Sequence, residues 1–515
     1  MLFNSYVFIF LFIPIIIFVF YLIGQKENVL FAAGWLVCAS LFFYAWWNPP
    51  YLVLILVSIV FNYTIGRALR RRPNKWILVV GIASNLGLLG YFKYANFFVD
   101  NFVWFIDSKI HLSPIVLPLA ISFFTFQQIA YIVDTYRGET CEYNFLHYCL
   151  FVSFFPQLIA GPIVNHKEML PQFSDREICR VKTSNLAIGL TIFFIGLAKK
   201  ALIADNLSVY AAPVFKAAEQ HYLLTFLEAW EGVLAYTFQI YFDFSGYSDM
   251  AIGLAFLFGI QIPLNFHSPY QAVNIVDFWR RWHMTLSRFL LHYLYIPLGG
   301  NRKGQLRRYI NLMITMLLGG LWHGAAWTFV AWGALHGLYL IVNYAWQALF
   351  KIFSTSGRSS LVKTHLSRLL TFLSVTVAWV FFRAETFSGA LNILKSMIGI
   401  NGFALPRKYL TKFSLLAPKL AKWGVPFSDL IYFRGGNEVV FLFILFLIVW
   451  FAPNTHQIMG QYSPAIDTYR DDIKLCSYKW LQWQPAYHWA ATIIIIMVAS
   501  ILSLSKASEF LYFQF

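Results

Sequence analysis

The stretch MLLGGLWHGAAWTFVAWGALHG, residues 316–337, contains no Lys, Arg, Asp or Glu, and its only readily ionisable side chains are His323 and His336. The run falls across two successive apolar blocks, 310–328 and 329–349, each about the 20 residues of a bilayer crossing. In a water-soluble core a lone histidine is usually hydrogen-bonded packing. Within a bilayer a polar side chain is costlier and points to a site. Gly319, Gly320 and Gly324 thin the surface beside His323, so that another backbone or a substrate can come close. A neutral imidazole there suits removal of a proton from an alcohol. His323 and His336 lie thirteen residues apart and would face different sides of one straight helix, which argues against a pair of metal ligands.

Outward from this run the same character continues. Apolar blocks fall at about 5–23, 29–47, 50–66, 76–92, 115–133, 145–160, 186–204, 232–260, 310–328, 329–349, 366–383, 437–452 and 486–504. Of 515 residues 59% are hydrophobic and 12% charged, against roughly 25% charged in soluble domains. Mean hydropathy is +0.61. These values exclude a water-soluble enzyme, a disordered scaffold and a coiled coil. They imply an all-α polytopic membrane protein with about 11–13 transmembrane or re-entrant helices plus interfacial amphipathic helices. It reads as a single membrane domain, 1–515, made of N-terminal helices (1–260), a basic cytoplasmic interfacial segment (261–309), a catalytic-histidine hairpin (310–349) and C-terminal helices with long loops (350–515). Pro156, Gly161 and Pro162 interrupt the 145–160 block, which is expected to re-enter rather than cross.

The chain carries 39 Lys+Arg against 23 Asp+Glu, a net charge of +16. Basic loops facing the cytoplasm and anionic lipid account for this better than nucleic acid does. Arg67, Arg70, Arg71, Arg72 and Lys75 mark one such loop, the 280–308 cluster a second, and Lys351, Arg358, Lys363 and Arg368 a third. Counting back places the N-terminus outside, with residues 5–23 as an uncleaved first span. It also places 384–436 outside, despite its seven Lys and Arg. The five cysteines are scattered, and no metal-ligand spacing occurs.

Two further segments carry chemistry. In YFDFSGYSDMAIG, residues 241–253, Asp243 and Asp249 are carboxylates inside an apolar block, where an unpaired charge costs several kcal/mol, on the order of 3. Ser245-Gly246 is expected to break the helix and Ser248 or Asp249 to cap the next one; a cavity-lining role is the alternative. In residues 266–304 an amphipathic helix or two is expected between Val276 and Tyr295. If helical, Trp279, His283 and Ser287 share one face and Arg281 and Arg288 another. Such faces would receive an anionic, nucleotide-bearing donor, or simply anchor an interfacial helix. LGGNRKG, which holds Asn301 and Arg302, reads as a turn. No GxSxG elbow occurs, so a covalent serine mechanism has no support. A proton-coupled carrier displays the same intramembrane Asp and His and is the rival reading.

The segments AWW (45–47), LGYFKYANF (89–97), ISFFTFQQIAYIVDTYRG (121–138), PQLIAGPIV (156–164), YFDFSGYSDMAIG, NFHSPY (265–270), FWRRWHMTLS (278–287), YIPLGGNR (295–302), GGLWHGAAWTFVAWGALHG (319–337) and the closing FLYFQF together resemble the membrane-bound O-acyltransferase (MBOAT) family. Within it they resemble bacterial transferases that acetylate alginate and other polysaccharides, with peptidoglycan or cellulose as the alternative acceptor. The resemblance implies funnels from both membrane faces meeting at a buried histidine, His323, with His283 as the second family histidine. Acetyl-CoA is implied as a cytoplasmic donor substrate, with no bound cofactor. Arg280, Arg281, Asn301, Arg302, Trp279 and Ser287 are then candidates for its binding, with Asp243, Ser245 and Asp249 orienting groups. The resemblance further implies a bacterial inner-membrane location, a periplasmic partner of the SGNH-hydrolase type, and a polysaccharide acceptor met directly or through that partner. D-alanyl transfer to teichoic acid is a less favoured variant of the same chemistry.

Overall fold

The computed structural model describes every residue except 26–27, 108–111, 142, 354–360, 434, 470–475, 505–509 and 512–515. Arg358 of the third basic loop and the last four residues of FLYFQF lie outside the described residues. With no water at bilayer depth, backbone N–H and C=O groups must pair within the chain, and a helix runs in each of the apolar blocks. Tyr51–Arg71, Lys75–Ile106, Thr183–Glu219 and Leu361–Arg383 are each long and apolar enough to cross a membrane alone. Shorter apolar helices are Phe8–Gly24, Val29–Ala45, Asn437–Phe451 and Tyr487–Ser503. Among the described residues the only strands are the parallel pair Leu405–Pro406 and Phe427–Ser428.

The elements that build the site are α1 (Thr183–Ala198), α2 (Asp205–Glu219), α3 (Phe226–Leu257), α4 (Gly304–His323), α5 (Trp327–Phe353) and α6 (Leu361–Arg383). A π-helical turn, Lys199–Ala204, joins α1 to α2. The 145–160 block is broken as its prolines suggest, into Phe145–Ser153 and Phe155–Leu158. The first piece rises only about 13 Å. Buried, non-helical chain follows over 159–164, and its Ile163 amide donates to Thr285 Oγ1 at 3.0 Å.

The break expected at Ser245-Gly246 does not occur: α3 runs unbroken from Phe226 to Leu257. Gly246 instead lets α1 lie against α3. A Cβ on Gly196 would come 2.5 Å from the Gly246 carbonyl oxygen, and one on Gly246 would come 2.7 Å from that of Gly196. Gly189 and Gly253 repeat this contact two turns away, at 2.8 and 2.6 Å. Small residues permit close backbone approach where apolar burial gives helices no preference for one another over lipid. Gly196→Leu is therefore expected to cost at least the ~1–3 kcal/mol typical of overpacking. A thermal-unfolding midpoint in detergent equal to that of the parent protein would count against this packing.

Candidate functional site

The run 316–337 is not one helix. α4 ends at His323, the chain turns over residues 324–326, and α5 comes back against it. Gly320 lies on the Phe329 carbonyl and on Gly333, whose own Cβ position is filled by the Met316 carbonyl. The two helices form a hairpin, so His323 and His336 do not share one straight helix. In it the two rings flank Trp332, with centroids 5.1 and 4.8 Å from it. His336 is fully buried, sits 5.1 Å from the Trp279 ring, and has no hydrogen-bond partner on either ring nitrogen among the described residues.

A helix that stops inside the protein leaves its last carbonyls without intrahelical partners. The GYFKY turn, Gly90–Tyr94, supplies them. Lys93 Nζ donates to the carbonyl oxygens of Trp322 at 2.6 Å and His323 at 3.1 Å, and the Tyr94 hydroxyl donates to that of Leu321 at 2.8 Å. Lys93 also lies 5.8 Å from the Trp322 ring centroid.

Of the helix or two expected between Val276 and Tyr295, the structure has two short ones. Ile275–Trp279 ends at Arg280, and Met284–Leu290 starts anew after His283, whose φ is +42°. Trp279, His283 and Ser287 therefore share no helical face. The left-handed backbone at His283 turns its ring inward. There it meets Asn265 Oδ1 at 3.0 Å through Nδ1, Phe244 at 4.8 Å, and His323 at 6.4 Å between centroids. Asn265 fixes this corner, since its Oδ1 also accepts from Thr285 Oγ1 at 2.9 Å. The expected guanidinium face is absent too. Arg281 pairs with Asp277 at 2.7 Å, and Arg288 makes a two-pronged pair with Glu168 at 2.5 and 2.9 Å.

Two cavities reach this centre. One, of about 580 Å³, is lined by Trp46, Trp47, Lys93, Ser122, Phe123, Trp322 and His323. The other, of about 540 Å³, is lined by Trp279, Arg280, Ser287, Tyr295, Thr315, Met316 and Tyr344. They touch α4 at Trp322 and Met316, some 9 Å apart along its axis. Between them stands a file of rings, Trp279, Trp332 and His323, spaced 5.8 and 5.1 Å. Trp279, Arg280 and Ser287 are thus brought together. Asn301 and Arg302 sit exposed on the Gly299–Lys303 turn, outside both cavities.

Asp243, Ser245 and Asp249 line neither cavity. Asp243 meets Lys200 at 2.7 Å and accepts from the Leu511 amide at 3.1 Å; Lys200 also bridges to Asp205 at 2.9 Å. Asp249 meets Lys199 at 2.6 Å, Thr455 Oγ1 at 2.6 Å and His456 Nε2 at 3.1 Å. Both carboxylates are almost fully buried, and a charge so placed must be paired. Here the carboxylates are framework rather than cavity lining. Lys200→Met is expected to cost about 3–5 kcal/mol by stranding Asp243, and adding Asp243→Asn should recover part of that. A double variant no more stable than Lys200→Met alone, by thermal unfolding, would dissolve the pair as a stabilising unit.

Apolar helices thus surround a histidine hairpin with a cavity on either side of an aromatic file. Residues 139–375 match the membrane-bound O-acyltransferase family, and with full-length relatives above a third identical the chain belongs to that family. It is similar to "Peptidoglycan O-acetyltransferase" of Helicobacter pylori, 48% identical over 435 residues covering 79% of this chain and 81% of that one. It is similar to "Probable alginate O-acetylase AlgI" of Pseudomonas aeruginosa, 37% identical over 543 residues covering 100% of both. "Teichoic acid D-alanyltransferase" of Streptococcus thermophilus is more distant, 27% identical over 360 residues, 67% of this chain and 83% of that one. The protein is therefore a membrane O-acetyltransferase, and the reading as a carrier without chemistry falls away.

Proposed function

We propose that the protein takes acetyl from cytoplasmic acetyl-CoA and passes it to a hydroxyl presented from the other side of a bacterial inner membrane. His323 is the general base. The observation that carries this reading is the position of His323, buried at the end of the 580 Å³ cavity and joined by the Trp332–Trp279 file to the 540 Å³ cavity that holds Arg280. The donor's phosphates suit the exposed Arg280, and its thioester points inward along the file. The acceptor oxygen attacks the thioester carbonyl while His323 takes the hydroxyl proton. The tetrahedral intermediate then collapses, the C–S bond breaks, and the CoA thiolate leaves with that proton. His283, held by Asn265 Oδ1, orients the reacting groups.

The acceptor in this reading is an extracytoplasmic polysaccharide, reached directly or through a periplasmic SGNH-hydrolase-type partner. Alginate-type exopolysaccharide follows from the motifs. The higher identity to the relative named for peptidoglycan, 48% against 37%, favours peptidoglycan. Loss of base-labile acetate from one polymer in a deletion strain separates the two. Removing a general base typically costs 10²–10⁴-fold, so His323→Ala, expressed at the normal level, is expected to stop release of CoA from labelled acetyl-CoA and to leave the polymer unacetylated. Retained acetylation would remove His323 from this role.

A further inference from the structure

We infer that Lys93 is a positioning residue for the transfer, acting on His323 through the backbone of α4. This rests on His323 being the base. Three observations meet at one place. α4 stops at His323, inside the protein, so its last carbonyls need donors from elsewhere. Lys93 and Tyr94 supply donors to three consecutive carbonyls, those of Leu321, Trp322 and His323. Lys93 also lines the same cavity as the His323 side chain. A cation at a helix C-terminus is favourable in itself, yet a half-buried lysine among apolar helices is a costly way to stabilise a helix end. What the lysine adds is a fixed terminal turn. Cα of His323 is held from its own carbonyl and from the carbonyl before it, and the imidazole swings from that Cα. The π-helical turn at Gly90–Tyr94 is what brings Lys93 and Tyr94 to adjoining carbonyls.

The test compares Lys93→Ala, Lys93→Arg and Tyr94→Phe with His323→Ala in the full chain in detergent or vesicles, following CoA release from acetyl-CoA. A base displaced by about an ångström loses on the order of 10²-fold. Lys93→Ala is expected to lower kcat about 10–100-fold with the donor KM unchanged, and Lys93→Arg to lose less. Because Lys93 faces a cavity, ethylammonium added to Lys93→Ala is expected to restore part of kcat, which a merely collapsed structure would not allow. Unchanged kcat in Lys93→Ala overturns the inference, as does a loss confined to KM or one that ethylammonium leaves untouched. Should Lys93→Ala fail to fold, Tyr94→Phe decides. It removes one donor to the same turn, and a lowered kcat at constant KM supports the assignment while an unchanged kcat refutes it. Activity in His323→Ala would refute the base assignment itself, and that result is separate from any of the Lys93 outcomes.

Discussion

A buried carboxylate stays charged at low cost only where a cation meets it, and Asp243 and Asp249 lie buried in the second half of α3. The answer is a pair of adjacent lysines, Lys199 and Lys200, on the π-helical turn between α1 and α2. Much else depends on that exchange. It fixes α1 and α2 against α3, and the glycine contacts at 196 and 246 are possible only at that distance. It also leaves hydrogen-bonding capacity on both carboxylates, which the later part of the chain uses: Thr455 and His456 on Asp249, the Leu511 amide on Asp243. The histidine hairpin is then mounted on a frame whose buried aspartates already have their cations.

The site repeats this economy with backbone instead of charge. His283 needs a left-handed residue and Asn265 to turn inward; His323 needs a helix to end where helices are hard to end. Each device uses irregular backbone inside the protein, and the carbonyls of Leu321, Trp322 and His323 freed by it meet Lys93 and Tyr94. Rings do the rest. Trp279, Trp332 and Trp322 pack at 5–6 Å from the histidines or one another, so flat, rigid groups rather than flexible chains stand beside the histidines.

The membrane class and helical content were legible because 59% apolar residues leave no other economical fold. The kink at Pro156 and the turn at Gly299–Gly300 were legible because proline and glycine restrict or free the backbone locally. What misled was the same local logic where the partner is distant. Ser245-Gly246 looks like a break, but the reason for Gly246 is Gly196, fifty residues earlier. Arg288 looks available for a phosphate, but Glu168 is 120 residues away in sequence and 2.5 Å away in space. Lys93 adjoins an apolar block and Lys199 and Lys200 lie within one, and the rule that singles out Asp243 applies to a lysine equally well. Asn265 and His456 carried no comparable signal, since neither is charged and neither shares a motif with the groups they hold.

The spacing of the contacts around Asp243 and Asp249 bears on how the protein is made. Their lysines precede them by 43 and 50 residues, while His456 and Leu511 follow by 207 and 268. During synthesis α3 therefore enters the bilayer with its countercharges already built, in a helix inserted just before it. The electrostatic cost of insertion is met locally and early, where loop closure is cheap. The long-range contacts arrive afterwards as hydrogen bonds to a neutral pair, so biogenesis does not have to wait for the last helix to make the first half of the bundle tolerable in lipid.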